Sequence, residues 1–340
     1  MFEEKRYRLP AEWEPQSGVQ LTWPHAGTDW APMLSDIEAT YRQMAREIAR
    51  REHLLIVAPK SVAAELNTIP AQVALMDTDD TWARDHGFMT LTDDCGHNRL
   101  LDFRFNGWGD KFPACHDNAI NRQLFDGGYV KGEYSCQLDF VLEGGSIESD
   151  GRGTVFTTTG CLMAPHRNQP LTQQQVEDRL KQVFCAERVV WIDHGNLTGD
   201  DTDGHIDTLV RVCPDDTLLY VGCDDPTDEQ YEELRLMEQQ LQTLRTLDDR
   251  PYRLMKLPMP RPLFDEEGQR LPATYANFLV MNGAVLCPTY GQADLDTEAL
   301  QIVGDAFPDR EVVGIDCRSV IRQHGSLHCC TMQYPENVIV

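Results

Sequence analysis

One recurring unit constrains this chain more than any other feature. Short β-rich runs stand at Val19-Gln-Leu-Thr-Trp23, Phe88-Met-Thr-Leu91, Thr154-Val-Phe-Thr157, Leu218-Leu-Tyr-Val221 and Ala284-Val-Leu-Cys287. Their starts lie 64 to 69 residues apart, a period long for a solenoid and suited to whole supersecondary units. Helical patterns follow most of the runs, at 36–51, 173–184, 228–244 and 297–307. The stretch 228–244 carries apolar residues near i, i+3, i+4 spacing and acidic residues in its first turn. A shorter helix over 117–125 is expected for the second unit, 95–150, which fits the period least well. A second strand follows several helices, at Leu54–Val57, Val189–Ile192 and Val312–Ile315. These are continuous apolar runs, expected to be buried on both faces. Five α/β units of similar length imply one domain over 1–340 with fivefold pseudosymmetry, although strand–helix alternation alone also fits a doubly wound sheet.

Charge and cysteine usage narrow the function classes. The net charge of -25 argues against nucleic acid, whose phosphates need basic patches, and suits small cations. No window approaches the roughly 18 consecutive apolar residues that span a bilayer. The opening MFEEKRYRLPAEWEP scatters charge and does not read as a secretory signal, so a cytoplasmic protein is expected. The eleven cysteines form no C-x-x-C pair, which speaks against a zinc ribbon or a dithiol redox site. Their odd number and wide spacing suggest free thiols in a reducing compartment, most of them small apolar core residues.

Polar clusters fall just before the β run of the next unit. They are Asp77-Thr-Asp-Asp-Thr-Trp82-Ala-Arg84-Asp85-His86-Gly87, Leu142-Glu143-Gly-Gly-Ser146, Gly199-Asp-Asp-Thr-Asp-Gly-His205-Ile-Asp207 and Gly325-Ser-Leu-His328-Cys329-Cys330-Thr331. In a ring, such equivalent segments converge at the centre. An extended strand over Gly204–Asp207 would project His205 and Asp207 to one face, pairing a base with an anion for a cationic substrate. The Asp-Asp-Thr-Asp stretch resembles a calcium loop, but it lacks the regular ligand positions and closing Glu of an EF-hand. Asp85 follows Arg84 and also reads as a solvated turn paired with it. Glu143 precedes two glycines, which suit close backbone packing beneath a site. Cys329 lies beside His328, and a neighbouring imidazolium or bound cation would favour the nucleophilic thiolate. On residues alone, Cys329 and Cys330 are equivalent candidates.

At these segments the chain resembles the agmatine deiminase and bacterial-type peptidylarginine deiminase family. The likeness runs nearly full length. It takes in Leu9-Pro-Ala-Glu-Trp-Glu-Pro15, Trp23-Pro-His25, Trp82-Ala-Arg-Asp85, Phe105-Asn-Gly-Trp-Gly109 and Leu142-Glu-Gly-Gly-Ser-Ile147. It continues through Asp201-Thr-Asp-Gly-His-Ile-Asp207, Pro272-Ala-Thr-Tyr-Ala-Asn-Phe278, Phe307-Pro-Asp-Arg310 and His328-Cys329. The resemblance implies the pentein fold, a five-bladed pseudosymmetric α/β propeller. It implies Cys329 as nucleophile, because the family's cysteine follows a histidine and precedes a Thr by two places. His205 would be the general acid and base, oriented by Glu143. Asp85 and Asp207 would grip the guanidinium in fork geometry, and Trp82 would pack against the substrate. The implied reaction is hydrolysis of agmatine to N-carbamoylputrescine and ammonia through a cysteine thiouronium, with no metal or organic cofactor. A small guanidinium cation is the expected partner, and a homodimer is the default association. Arginine or peptidylarginine deimination, or non-catalytic binding of guanidinium or polyamine, are the alternatives. The family's usual Gly-Gly-Gly-Asn-Ile-His-Cys reads Gln323-His-Gly-Ser-Leu-His-Cys329 here, and its Arg-Asp-Thr-Gly-Pro reads Arg84-Asp-His-Gly-Phe88. Differences in the pocket are therefore expected near Ser326 and His86.

Overall fold

In the computed structural model, residues 7–340 are described, so the first six residues of the charged opening segment lie outside the described residues. The strands sort into five small separate sheets. In the second unit, Met89–Thr92 turns back antiparallel onto Asn98–Arg104, the helix Asp117–Asp126 crosses over, and Glu133–Val141 returns parallel. The third unit repeats this with Glu148–Ser149, Thr154–Thr158, the helix Gln173–Phe184 and Arg188–Ile192. The fourth uses Val210–Cys213, Thr217–Val221, the helix Tyr231–Thr243 and Arg253–Leu257. The fifth uses Leu279–Met281, Ala284–Thr289, the helix Ala293–Ala306 and Glu311–Asp316. A short turn suffices for each antiparallel pair, whereas each parallel pair needs the helical crossover.

The first unit takes its antiparallel strand from the other end of the chain. Thr331–Pro335 pairs with Gln16–Thr22, which then runs through the helix Leu34–Ala49 to the parallel strand His53–Ala58 and on to Gln72–Leu75. The two ends thereby close the ring, and the architecture is the five-bladed pseudosymmetric α/β propeller of the pentein fold.

Local chemistry accounts for most of these elements. The helix Gln173–Phe184 begins with a capping box, Thr172 and Gln175 satisfying each other's backbone N–H, and ends with Cys185 in the left-handed conformation. It buries Val176, Leu180, Val183 and Phe184, one stripe of a 3.6-residue period. The fifth helix starts earlier than its apolar pattern suggests, at Ala293 rather than Thr297. Asp296 explains the difference, because its carboxylate accepts the N–H groups of Tyr290 and Gln292 and holds the entering chain.

Three expectations about strands need correction. Val312–Ile315 is not buried throughout: Val312, Val313 and Gly314 are half-buried in the edge strand of their sheet, and only Ile315 is fully buried. The run Phe88–Leu91 belongs to the antiparallel first strand of the second unit, and the true counterpart of the other runs is Asn98–Arg104. Both strands are short and apolar, so periodicity alone cannot tell them apart. Gly204–Asp207 is likewise not an extended strand. Ile206–Thr208 forms a single tight turn, held by Thr208 Oγ1 donating to the His205 carbonyl at 2.8 Å. Such turns stand before the first strand in most units, at Ala83–His86, Gly144–Ser146, Ile206–Thr208 and His328–Cys330.

Buried charge ties the units together at the ring's centre. Arg211, 1% exposed, sits in the fourth unit and donates to Glu12, to Glu148 of the third unit, and to the carbonyls of Ala276 and Phe278 leading into the fifth. No helix among the described residues is long and apolar enough to cross a membrane.

Candidate active site

Two of the turns that precede the blades deliver a side chain to one cavity of about 170 Å3, Asp85 from Ala83–His86 and Cys329 from His328–Cys330. Trp82, Asp85, Trp108, Asp201, His324 and Cys329 are among its lining residues, with Asp29 and Asp80 beside them. Cys330, in contrast, is fully buried away from it, and its thiol is pushed up to about 12 by burial despite a hydrogen bond from Tyr41. Geometry thus separates two cysteines that composition could not.

The Cys329 thiol, 3% exposed, donates to Asn277 Oδ1 at 3.4 Å and lies 3.9 Å from Asp207 Oδ2. Burial, with the carboxylates of Asp207 and Asp85 nearby, holds that thiol well above its ordinary range. In the free site it is therefore a neutral thiol. His205 is wholly buried, with Nδ1 3.6 Å from Asp85 Oδ1 and Nε2 3.9 Å from Glu143 Oε2. Burial alone would neutralise the ring, but Asp85, Cys161 and Glu143 outweigh it and raise His205 well above its usual value. The resting imidazole carries its extra proton, the form an acid needs.

The carboxylates differ from one another. Asp85 accepts from Trp108 Nε1 at 2.9 Å and from the Gly145 backbone N–H at 3.0 Å. Burial, against the opposing pull of His205, leaves Asp85 at about 6. Asp207 is pushed up by burial, but His328, His205 and Arg211 more than offset this and hold it below its ordinary value. Glu143 lies 2.8 Å from Arg167 Nε; burial pushes its carboxyl up, but His205 and then Arg167 more than offset this and hold it below its ordinary value.

Gly145 shows how tightly the centre is packed. A Cβ there would lie 2.5 Å from His205 Nδ1, 2.9 Å from Asp85 Oδ1 and 3.1 Å from Asp207 Oδ2. Gly145→Ala is expected to lower kcat/KM on the order of 100-fold, since displacements of an ångström cost that much. Near-native activity in a steady-state assay would contradict this packing. Gly325 does similar work under Trp82, where a Cβ would sit 2.1 Å from the indole ring.

All six residues singled out from sequence therefore meet. Cys329, Asp85 and Trp82 line the cavity, while His205, Glu143 and Asp207 lie directly behind it. Sequence reasoning assigns no role to Asn277, Trp108, Arg167 or Cys161. Asn277 and Trp108 stand in quoted motifs, and a left-handed non-glycine such as Trp108 (φ 57°) carries no sequence signal of its own. Cys161 lies behind His205, its sulfur and the ligand atoms of Glu143 and His205 all within 4.8 Å of one another. That trio could hold a metal ion, as could the surface sets Asp79, Cys115, His116 and Asp93, Cys95, His97. Neither His86 nor Ser326 faces the cavity. His86 is buried against Thr22 Oγ1 at 3.1 Å, Ser326 bonds Tyr290 at 3.0 Å, and the departures that reach the mouth are Gln323 and His324.

A propeller whose centre joins a thiol, an imidazole and paired carboxylates around a cavity for a small cation defines a hydrolase of amidine C–N bonds. The chain belongs to the Porphyromonas-type peptidyl-arginine deiminase family, whose model matches residues 8–335. The agmatine deiminase of Stutzerimonas stutzeri is 32% identical over 97% of this chain and 95% of its own length. Among solved structures, a provisionally named arginine deiminase from Porphyromonas gingivalis is 48% identical, with a TM-score of 0.92 over 98% of this chain and 100% of that one. A serine variant of C. jejuni agmatine deiminase with substrate bound is 35% identical, with a TM-score of 0.91 over 99% of this chain and 98% of that one.

Proposed function

We propose that this chain hydrolyses agmatine to N-carbamoylputrescine and ammonia, with Cys329 as nucleophile and residues 7–340 acting as one catalytic unit. The observation that carries the substrate is the lining of the cavity. Asp29, Asp80, Asp85 and Asp201 face it, and no arginine or lysine does among the described residues. A dication without a carboxylate suits that lining, whereas the carboxylate of free arginine would meet anions there. The eleven free thiols support a reducing, cytoplasmic setting.

The proposed chemistry follows from the charges. A guanidinium entering between Asp85 and Asp207 neutralises the anions that keep the thiol protonated, so substrate binding itself favours the thiolate; the proton shed by Cys329 passes to solvent, where the released ammonia takes one up as ammonium. The carboxylates hold the planar cation with its carbon toward Cys329 Sγ. Sulfur bonds that carbon, and His205 gives its proton to the amino group, which leaves as ammonia. The thiouronium that remains is attacked by water whose proton passes to the now neutral His205. As the C–S bond breaks, the second proton of that water passes to sulfur, leaving the ureido product, the thiol and a protonated His205.

Measurement of ureido product and ammonia from agmatine, arginine and a peptidylarginine tests this reading. Agmatine is expected to lead in kcat/KM, and turnover of arginine alone would overturn the substrate. Absence of any turnover would favour a guanidinium-binding protein instead. Because free Asp85 sits at about 6 and binds the cation only when ionised, kcat/KM for agmatine should fall as pH drops through that value.

A further inference from the structure

The two oxygens of Asp207 are in different situations. Oδ2 lies 2.7 Å from His328 Nδ1, while Oδ1 is buried with no hydrogen-bond partner among the described residues. The far nitrogen of the same ring, Nε2, is 3.1 Å from Glu12 Oε2 and 3.3 Å from Arg211. The backbone of His328 is fixed as well, its N–H donating to Asn277 Oδ1 at 2.9 Å and its carbonyl accepting from Thr331 Oγ1 at 2.9 Å. The ring is thus clamped from behind by Glu12 and Arg211 and presents its Nδ1–H to Asp207, directly behind the cavity. Standing next to Cys329 in sequence suggests a partner for the thiol, but both ring nitrogens are engaged with carboxylates.

We propose that His328 is a positioning residue: its Nδ1–H holds Asp207 Oδ2 and so leaves Oδ1 unpaired for a guanidinium N–H. The inference rests on the reading of Asp207 as a substrate carboxylate. A carboxylate can turn about its Cβ–Cγ bond, and one short hydrogen bond to a clamped ring removes that freedom. The same bond favours the charged form of Asp207, which Asp85 opposes and which His205, Arg211, Arg84 and the neutral Cys329 also face. With His328 unable to donate, Asp207 would both turn and take up a proton more readily.

Two substitutions separate the two nitrogens. The amide of asparagine lies about where Nδ1 does and can keep the bond to Asp207, whereas glutamine reaches the place of Nε2 and keeps only Glu12. His328→Gln is expected to lower kcat/KM for agmatine on the order of 100-fold and to move the acid limb of its pH profile upward. His328→Asn is expected to stay within about tenfold with the limb in place, the scale of one or two lost hydrogen bonds. A second readout needs no turnover: alkylation of Cys329 by cationic 2-chloroacetamidine relative to neutral iodoacetamide, followed by mass spectrometry. That ratio should fall about tenfold in His328→Gln and hold in His328→Asn, because only an ionised, aligned Asp207 favours the cation. Should His328→Gln fail to fold, Glu12→Gln loosens the clamp from behind and should lower the ratio in the same sense. Equal behaviour of the Asn and Gln variants, whether both native or both impaired, would overturn the proposal. If wild-type protein makes no ureido product from agmatine while the alkylation pattern appears, the substrate reading fails and the positioning role stands.

Discussion

Cys329→Ser is expected to abolish agmatine turnover, by at least on the order of 10,000-fold, while Cys330→Ser keeps most of it. The two cysteines are neighbours in sequence and have opposite surroundings. Cys329 reaches the cavity, between Asn277 and Asp207. Cys330 is packed against Tyr41 with no exposure, so serine there costs stability, of order 1 kcal/mol, rather than chemistry. Steady-state assays beside thermal melts separate the two effects. Serine cannot replace the thiol because an alcohol ionises far less readily and no base stands at its oxygen. Full activity in Cys329→Ser would remove the nucleophile assignment, and a dead but well-folded Cys330→Ser would transfer it.

Arg211→Met should cost more stability than any of the substitutions at the cavity. The guanidinium bonds Glu12 and Glu148 and two backbone carbonyls, and all of these groups are buried or nearly so. Methionine fills the volume but leaves both carboxylates without their common counter-charge. Removing one partner of such a buried set costs about 3–5 kcal/mol. Against a total stability of roughly 5–15 kcal/mol, that is a large fraction. Urea denaturation monitored by tryptophan fluorescence would show the midpoint fall, and an unchanged midpoint would mean the network is dispensable. Arg211→Lys is expected to recover only part of the loss, because an ammonium cannot span the same set of acceptors in fork geometry.

Parts of this molecule are legible in its sequence. The helix Gln173–Phe184 follows from Thr172, Gln175 and the spacing of its apolar residues, all within one short stretch. The fivefold organisation follows from the period, whereas the residues alone leave Cys329 and Cys330 equivalent and only the family resemblance favours Cys329. Two of the misreadings have a common origin. Phe88–Leu91 passes for the wrong strand of its unit because a strand's identity depends on its neighbours. Residues 204–207 look extended because nothing local shows that Thr208 closes a turn on the His205 carbonyl.

Most of the candidate site's chemistry lies beyond local reading for the same reason. Asn277 touches Cys329 across 52 positions, Trp108 touches Asp85 across 23, and His328 touches Asp207 across 121. Each pair exists because the ring closes, with the C-terminal strand completing the first blade. The sequence by itself determined the repeat, the helices and the residue types able to do deiminase chemistry, since those depend on local periodicity and side-chain identity. Only the tertiary structure decided which thiol meets the cavity, that His205 holds its proton while Cys329 keeps its own, and that His328 serves Asp207. Those outcomes are set by burial and by charges a few ångströms apart, and a linear chain specifies neither until it is folded.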